Sequence, residues 1–420
     1  MRRLAAVAAC LGLAGCGGSG GDSGPDGTGA RGTQAPKRPS AEEQLGALLE
    51  RRARALQAGS PRRLAATSAG AQRARDRRAA RNAAALPLRR VALEPRDIDV
   101  DGRRAVLKVR SRYGIAGIRG SFAADRTLRA VRTARGWRIS SSTSRRQRYP
   151  WEIARFGSGR TRHFTVLAPA ALAADGLADA LEAGYEQMGD VLVEGVLRRR
   201  YLVVVAGDAT MAREMTTGIR GVATLAAISD SAVREQGPAD RVVQVASQRL
   251  LVVWPAFSPL DAEGRARVVA HELTHAALAS RTSGRTPGWL VEGIALYVSG
   301  DRRVGAAARY VAGDAGRVSR RALTLTGLSA PGSIGRLGGD GQSAAYAYSS
   351  AAAFYLAERF GRKRFLRLYA AFNDPDLTEP TGAELTAAAV RRTLGLSLLE
   401  LERDLRRWIV TRAVVDPFAP

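Results

Sequence analysis

The sequence contains very few cysteine, histidine and lysine residues. Its two cysteines, Cys10 and Cys16, both lie in the signal-like start of the chain, and there are three histidines and three lysines in all. Aromatic residues make up only 6 % of the chain, and arginine supplies nearly all of the positive charge. The body of the protein therefore cannot carry a disulfide framework, a cysteine-rich metal site or a catalytic thiol.

The positive charge of the chain is concentrated in its first 160 residues. The whole sequence is 45 % hydrophobic and 25 % charged, which is typical of folded proteins, and its formal net charge is +26. Residues 1–160 carry about 34 basic and 12 acidic side chains and hence about +22 of that charge. The rest of the chain is nearly balanced and gives no electrostatic sign of nucleic-acid binding. At about 150 residues per domain, a length of 420 residues predicts two or three domains.

The N-terminus has the pattern of an export signal. Arg2 and Arg3 precede an apolar run of about 12 residues, which is too short to cross a bilayer as a helix. Residues 1–15 are therefore predicted to be a secretory signal peptide. The run ends in L-A-G-C at positions 13–16, which resembles the lipobox of bacterial lipoproteins.

The lipobox resemblance implies that Cys16 is diacylated and becomes the first residue of the mature chain. Two acyl chains give stable anchoring where one is marginal. We therefore expect an exported protein, anchored by lipid to the outer face of the bacterial cytoplasmic membrane, with a flexible Gly/Ser/Pro linker over residues 16–40. The alternative is a plain signal peptide in which the cysteine has no role.

Residues 41–150 are predicted to form a basic accessory domain of the α+β class. Helical spacing begins at Ala41, and Ser60-Pro61 has the form of a capped helix start. After Pro87 the period changes to two, which predicts strands. The strand-like segments are Leu88–Val100, Ala105–Tyr113, Phe122–Thr133 and Trp137–Ser142. Helices followed by a curved antiparallel sheet resemble the cystatin-like and nuclear-transport-factor-like folds.

A cluster of arginines within this domain has two interpretations. Its members are Arg73, Arg75, Arg77, Arg78 and Arg81. They either form a solvated helix face or contact anionic lipid head groups or cell-wall polymers, where each basic group contributes up to about 1 kcal/mol. A nucleic-acid partner is not expected, since no aromatic residues are interleaved with the arginines.

Residues 151–420 contain the most specific motif of the chain. The segment H-E-L-T-H at 271–275 has the form H-E-x-x-H and falls within a helical pattern over 261–280. Two histidines four positions apart lie on one face of a helix and can meet one zinc ion. Glu272 between them is then placed to take a proton from a water beside the metal.

A catalytic zinc needs a third protein ligand and one open position. No histidine follows His275, so the candidates are carboxylates. Glu292 lies seventeen positions further on, in W-L-V-E-G-I-A-L-Y. Thr286-Pro287-Gly288 breaks the chain just before this segment, which predicts that Glu292 falls in the first turn of a second helix.

H-E-L-T-H followed by W-L-V-E-G-I-A resembles the gluzincin peptidases, in particular the peptidase MA-like group. The resemblance covers most of residues 151–420 and implies a mixed α/β metallopeptidase domain with an active-site helix. It further implies one zinc ion per chain, with His271, His275 and Glu292 as ligands and Glu272 as general base. The G-x-M-E-N segment that grips a free α-amine in aminopeptidases is missing, so exopeptidase action is not expected.

The same resemblance suggests a residue that stabilises the oxyanion. Aminopeptidase-type gluzincins place a tyrosine ten residues before the leucine of an F-Y-L-like segment, and Tyr346 stands at that distance from Leu356. A phenol hydroxyl near the metal can donate to the developing negative charge. Tyr348 is the second candidate for this role, and a simple packing role for Tyr346 is the alternative.

These observations predict a membrane-anchored zinc metallopeptidase that acts on a peptide or protein substrate. The strand-like segment Leu250–Trp254 is expected to be the sheet edge along which an extended peptide pairs. One alternative is a catalytically silent peptidase fold that serves as a binding module at the cell surface. Another is a hydrolase of a non-peptide amide, such as a wall crosslink. The isolated His163 is expected to be structural or exposed rather than a ligand.

Overall fold

The chain folds into helices and two β-sheets, an antiparallel sheet of four strands and a mixed sheet of five. The computed structural model describes residues 39–144, 147–192, 197–216, 219, 221–235, 242–312, 323–330 and 332–415. This arrangement confirms the predicted α+β class. The predicted signal peptide, Cys16 and the linker up to residue 38 lie outside the described residues. Among the described helices, none is both long enough and apolar enough to cross a membrane.

The first half consists of three helices followed by the antiparallel sheet, in the predicted order. The elements are α1 (Ala41–Gln57), α2 (Pro61–Ala66), α3 (Gln72–Ala83), β1 (Leu88–Asp101), β2 (Arg104–Ile115), β3 (Phe122–Thr133) and β4 (Gly136–Thr143). Leu45 and Leu48 of α1 are buried in one cluster with side chains of the sheet. Ser60 caps α2 as predicted, because its side chain accepts a hydrogen bond from the amide of Arg63 while Pro61 takes the first helical position.

A buried ion pair ties α1 to α3. The Arg52 side chain is almost fully buried, and its guanidinium donates to both carboxylate oxygens of Asp76 at 2.6 Å. The same guanidinium donates to the hydroxyl groups of Thr67 and Ser68. Such multiple hydrogen bonding allows a charged group to remain inside the protein.

The second half contains the mixed sheet and the remaining helices. Its strands are β5 (Phe156–Arg160), β6 (Phe164–Pro169), β7 (Tyr201–Ala206), β8 (Ala227–Glu235) and β9 (Val242–Val253), in the order β5-β6-β7-β9-β8. The α-helices are α4 (Pro150–Ile153), α5 (Leu177–Val191), α6 (Ala209–Met215), α7 (Trp254–Phe257), α8 (Ala262–Leu278), α9 (Gly288–Val298), α10 (Val304–Ala312), α11 (Gly339–Phe360), α12 (Arg362–Ala371), α13 (Ala383–Leu394) and α14 (Leu398–Val415). Short 3-10 helices cover Val222–Thr224 and Ile334–Arg336. Strands β6, β7 and β9 are parallel, whereas β5 and β8 are antiparallel to their neighbours.

The prediction that Leu250–Trp254 forms the sheet edge is wrong. Leu250 to Val253 end strand β9, which pairs with β7 on one side and with β8 on the other. A strand with partners on both sides has no free edge for a peptide. Trp254 is the first residue of α7, and the edge beside the H-E-x-x-H helix is strand β8.

The helix that follows β6 begins later than the alanine-rich composition of residues 170–174 would suggest. Strand β6 continues to Pro169, and helix α5 starts only at Leu177. Gly176, the residue before α5, has a φ of 71°. This left-handed conformation lies outside the α-helical region, so the helix does not extend to the residues before Gly176. The alanine-rich composition of residues 170–174 therefore does not produce a helix.

The two faces of the mixed sheet are covered by different parts of the chain. In strand β7, Val203 and Val205 belong to the core shared with the helices of the second half. Leu202 and Val204 belong to a core that includes Tyr113 of β2 and residues on both sides of position 150. Residues 41–420 accordingly form one compact unit. The predicted domain boundary at residue 150 stays a prediction.

Candidate metal centre

Helix α8 carries the H-E-x-x-H motif, as predicted. Asp261 caps its N-terminus, where the Asp261 carboxylate accepts a hydrogen bond of 2.7 Å from the amide of Gly264. Val269 and Leu273 are fully buried in the main core and fix the rotation of the helix. His271 and the histidine one turn later then lie on the same face, with their Nε2 atoms 3.2 Å apart.

Helix α9 supplies the candidate third ligand. Pro287 precedes the helix, and Trp289, Leu290 and Ile294 are buried in the core. Glu292 is the fifth residue of α9, so it lies in the second helical turn rather than in the predicted first turn. The helix begins at Gly288, directly after the proline, which accounts for the difference.

The structure brings the three predicted ligands together. The Oε2 atom of Glu292 lies 3.5 Å from Nε2 of His271 and 3.6 Å from Nε2 of His275. Among the described residues, this is the group of histidine and acidic side chains whose arrangement suits a metal ion. The three residues are partly buried, and His271 lines a cavity.

The donor set fits a zinc ion. Tetrahedral zinc with bonds of about 2.0–2.1 Å separates its ligand atoms by about 3.3 Å, which is close to the observed spacings. The buried Oε2 atom of Glu292 accepts no hydrogen bond from the described residues. A buried carboxylate oxygen without a donor is costly, and a bound cation would satisfy it.

The charges of the three side chains stabilise one another. Burial alone would raise the pKa of Glu292, but the two imidazoles outweigh this effect and hold it well below its usual range. Burial alone would lower the pKa of His275, but the nearby negative charge of Glu292 outweighs this effect and raises it to about 9. Glu292 is therefore held as the carboxylate, the form that ligates metals.

Glu272 is held by the edge strand. Its Oε2 atom accepts a hydrogen bond of 2.7 Å from the backbone amide of Ser229 in β8. Glu272 also lines a cavity of about 570 Å³, together with His271 and Tyr346. This backbone contact was not predictable from residue types, because any non-proline residue at position 229 could donate it.

The two candidate tyrosines of α11 have different surroundings. Tyr346 lines the same cavity as His271 and Glu272. Burial and the charges of Glu292 and Glu272 raise its pKa, so the phenol remains protonated and able to donate. Tyr348 is fully buried, and its hydroxyl donates to Glu402 of α14 at 3.3 Å.

A loop after α9, to which no sequence motif points, also reaches the cavity. Arg303 and Asp301 both line it, and the guanidinium of Arg303 donates to the Asp301 carboxylate. Ser350 of α11 holds this loop, because its hydroxyl donates to the Asp301 carbonyl and accepts from the Arg303 amide. The charged segment D-R-R at positions 301–303, shortly after α9, was the sequence feature that could have indicated this loop.

His163 lies apart from the metal centre. Its Nδ1 atom is 2.6 Å from a carboxylate oxygen of Glu182, and its ring stacks on Tyr185 at a centroid distance of 3.8 Å. These contacts join the start of β6 to α5. His163 thus contacts nearby side chains and does not belong to the cluster of His271, His275 and Glu292.

Comparison of the chain with models of protein families, with curated proteins and with solved structures finds no match.

Proposed function

We propose that the protein is a zinc-dependent metallopeptidase of the gluzincin type. The observation that carries this proposal is the convergence of His271, His275 and Glu292, whose donor atoms have the spacing of three zinc ligands. The unsatisfied, buried carboxylate oxygen of Glu292 supports it. An intact carboxylate at Glu272, beside that cluster, argues for chemistry rather than for a silent scaffold.

The proposed mechanism assigns a separate task to each side chain. Bound zinc would supply the Lewis acidity that makes a water molecule acidic near neutral pH. Glu272 accepts the proton of the attacking water and then delivers it to the leaving amine. The Ser229 amide keeps the Glu272 carboxylate in place, and the protonated Tyr346 donates to the oxyanion.

The substrate is proposed to be a peptide or protein that binds along strand β8. Strand β8, and not the interior segment Leu250–Trp254, is an edge of the mixed sheet. We call the cavity lined by His271, Glu272 and Tyr346 the catalytic cavity. The free side of β8 borders it, because the Ser229 amide is directed toward Glu272. An extended peptide that adds to this edge would bring its backbone past the metal centre. Leu225 and Val268 line the cavity and offer an apolar surface for a substrate side chain.

The proposed location is the outer face of the cytoplasmic membrane, through a lipid on Cys16. This part of the proposal depends on the lipobox resemblance alone. A peptidase anchored there would meet exported proteins and peptides, and nucleic acid is not among its expected partners.

The first experiment measures metal content by elemental analysis after zinc is supplied. We expect about one zinc per chain in the wild type, since the cluster offers three ligands and one open position. His271→Ala should lose the metal, whereas the control His163→Ala, which removes a histidine outside the cluster, should retain it. A wild type that takes up no zinc would refute the proposal.

The second experiment separates a peptidase from a silent binding module. Glu272→Gln keeps the shape of the side chain and the three ligands, so it should retain zinc and lose turnover of a peptide mixture. A wild type that binds zinc and peptides but cleaves none would support the silent module instead. Cleavage that survives Glu272→Gln would remove Glu272 from the mechanism.

A further inference from the structure

Among the residues that the structure describes, a cavity of about 590 Å³ in the first half of the protein is lined by five arginines and by no carboxylate. We call it the basic cavity. Its charged lining comes from α1, α2 and the region where β3 turns into β4, and consists of Arg51, Arg54, Arg63, Arg135 and Arg138. No described residue lines both the basic cavity and the catalytic cavity. The function of the basic cavity therefore does not depend on the proposed peptidase chemistry.

The positive charge of the basic cavity is largely uncompensated. Arg54 forms an exposed ion pair with Glu50 at 3.4 Å. Within the described part of the chain, the other four arginines of the basic cavity form no ion pair with a carboxylate. Like charges that face one cavity repel one another. A bound anion would remove this repulsion.

The least exposed of the five arginines is Arg138, in β4. Arg138 is half-buried, and its guanidinium donates to the carbonyl of the neighbouring Trp137 at 2.7 Å. Burial, together with the charges of Arg51, Arg73 and Arg135, lowers its pKa. The positive charges of Arg51 on α1, Arg73 on α3 and Arg135 between β3 and β4 thus add to the effect of burial on Arg138.

A second arginine-rich cavity, of about 360 Å³, differs in this respect. Two of its five arginines, Arg52 and Arg126, are buried, and each is paired with a carboxylate that lines the same cavity, Asp76 or Glu152. Arg126 donates to both oxygens of Glu152 at 2.7 and 2.9 Å. Arg52 and Arg126 thus have carboxylate partners, whereas in the described part of the chain Arg54 alone among the arginines of the basic cavity has one.

We propose that the basic cavity binds a phosphate ester through Arg51, Arg135 and Arg138. One guanidinium fork occupies both oxygens of a carboxylate, while a phosphate has oxygens for more than one fork. The cavity volume falls in the range of about 300–1,000 Å³ typical of small-ligand sites. A lipid head group and a soluble polyol phosphate present the same chemistry.

The test uses the full chain with Cys16→Ser in every sample, so that no acyl chain contributes to binding. Calorimetry with sn-glycerol 3-phosphate should show saturable binding at one site. Arg51→Gln with Arg135→Gln should weaken it at least about tenfold, because hydrogen bonds to charged groups are lost. The matched control is Arg77→Gln with Arg81→Gln, which removes the same charge from positions of α3 that are exposed, like Arg51 and Arg135, but lie outside the basic cavity. The control should change the affinity less than twofold.

A sedimentation assay with phosphatidylglycerol vesicles, against phosphatidylcholine vesicles, identifies the source of the phosphate. Binding to the anionic vesicles that only the Arg51/Arg135 variant loses supports a lipid head group. Binding to glycerol phosphate without vesicle binding supports a soluble ester. Equal losses in both double variants would show diffuse surface charge and overturn the proposal, as would the absence of saturable binding in both assays. Far-UV circular dichroism confirms that each variant is folded.

Discussion

A single added methyl group at the contact between α9 and α11 is expected to weaken the proposed metal centre. Gly293 directly follows the proposed ligand Glu292, and a Cβ atom on it would lie 2.7 Å from the carbonyl oxygen of Ser349. That oxygen belongs to the backbone of α11 and cannot rotate away. Gly293→Ala must therefore move the two helices apart.

The expected magnitude follows from two opposing terms. Overpacking of this kind costs about 1–3 kcal/mol, and the better helix propensity of alanine offsets up to about 1 kcal/mol of it. We expect the free energy of unfolding to fall by about 1–2 kcal/mol. Since Glu292 moves with its neighbour, zinc affinity should fall about 10- to 100-fold, as it does when the support of a metal ligand is lost.

Denaturant unfolding of the zinc-free protein and a competition titration with a chromophoric chelator measure these two effects. The control is Gly339→Ala, at the start of α11, where an added Cβ has nothing within 4 Å. This control should keep the affinity for zinc and should not lower stability. If Gly293→Ala matches the control in both assays, the close contact between α9 and α11 does not hold Glu292 in position.

Three further changes test other parts of the structure. Glu292→Ala should lower zinc affinity more than Tyr346→Phe, because only Glu292 is a proposed ligand; equal losses in a metal titration would make the ligand assignment wrong. Cys16→Ser should shift the protein from the membrane to the soluble fraction, and retention in the membrane would place the anchor elsewhere. Asp76→Ala leaves Arg52 buried without its carboxylate and should lower the free energy of unfolding by about 3–5 kcal/mol. A loss below about 1 kcal/mol in urea unfolding would show that Arg52 has another adequate partner.

The metal cluster was predictable because its geometry is mostly local. His271 and His275 are four positions apart on one helix, so helical periodicity alone places them together. Glu292 needed the family resemblance, since the approach of α9 to α8 depends on packing between distant segments. The sequence could not distinguish Tyr346 from Tyr348, because this distinction depends on which face of α11 is buried. Helix α11 is rich in alanine and serine and has no stripe of large apolar residues that would indicate its buried face.

The strands at the two edges of the mixed sheet were not predicted. Phe156–Arg160 contains two glycines, and Ala227–Glu235 mixes serine and aspartate with small apolar residues. Neither segment has strong strand propensity, and each is held by antiparallel pairing with one neighbour. Tertiary pairing thus decides their structure, as is common for edge strands. The error at Leu250–Trp254 followed directly, because the omission of β8 left β9 as the apparent edge.

Because the two halves of the chain share a core on one face of the mixed sheet, neither half can be lost or replaced independently of the other. Leu202, Val204 and Leu251 are covered by side chains from the first half, including Tyr113. Loss of residues 41–150 by gene truncation or by proteolysis would expose that apolar face to water and favour aggregation. The N-terminal segment is therefore not an exchangeable module. A recombinant chain reduced to residues 151–420 should be insoluble, and a chimera with a foreign N-terminal segment would need a matching apolar surface to keep the metal centre intact.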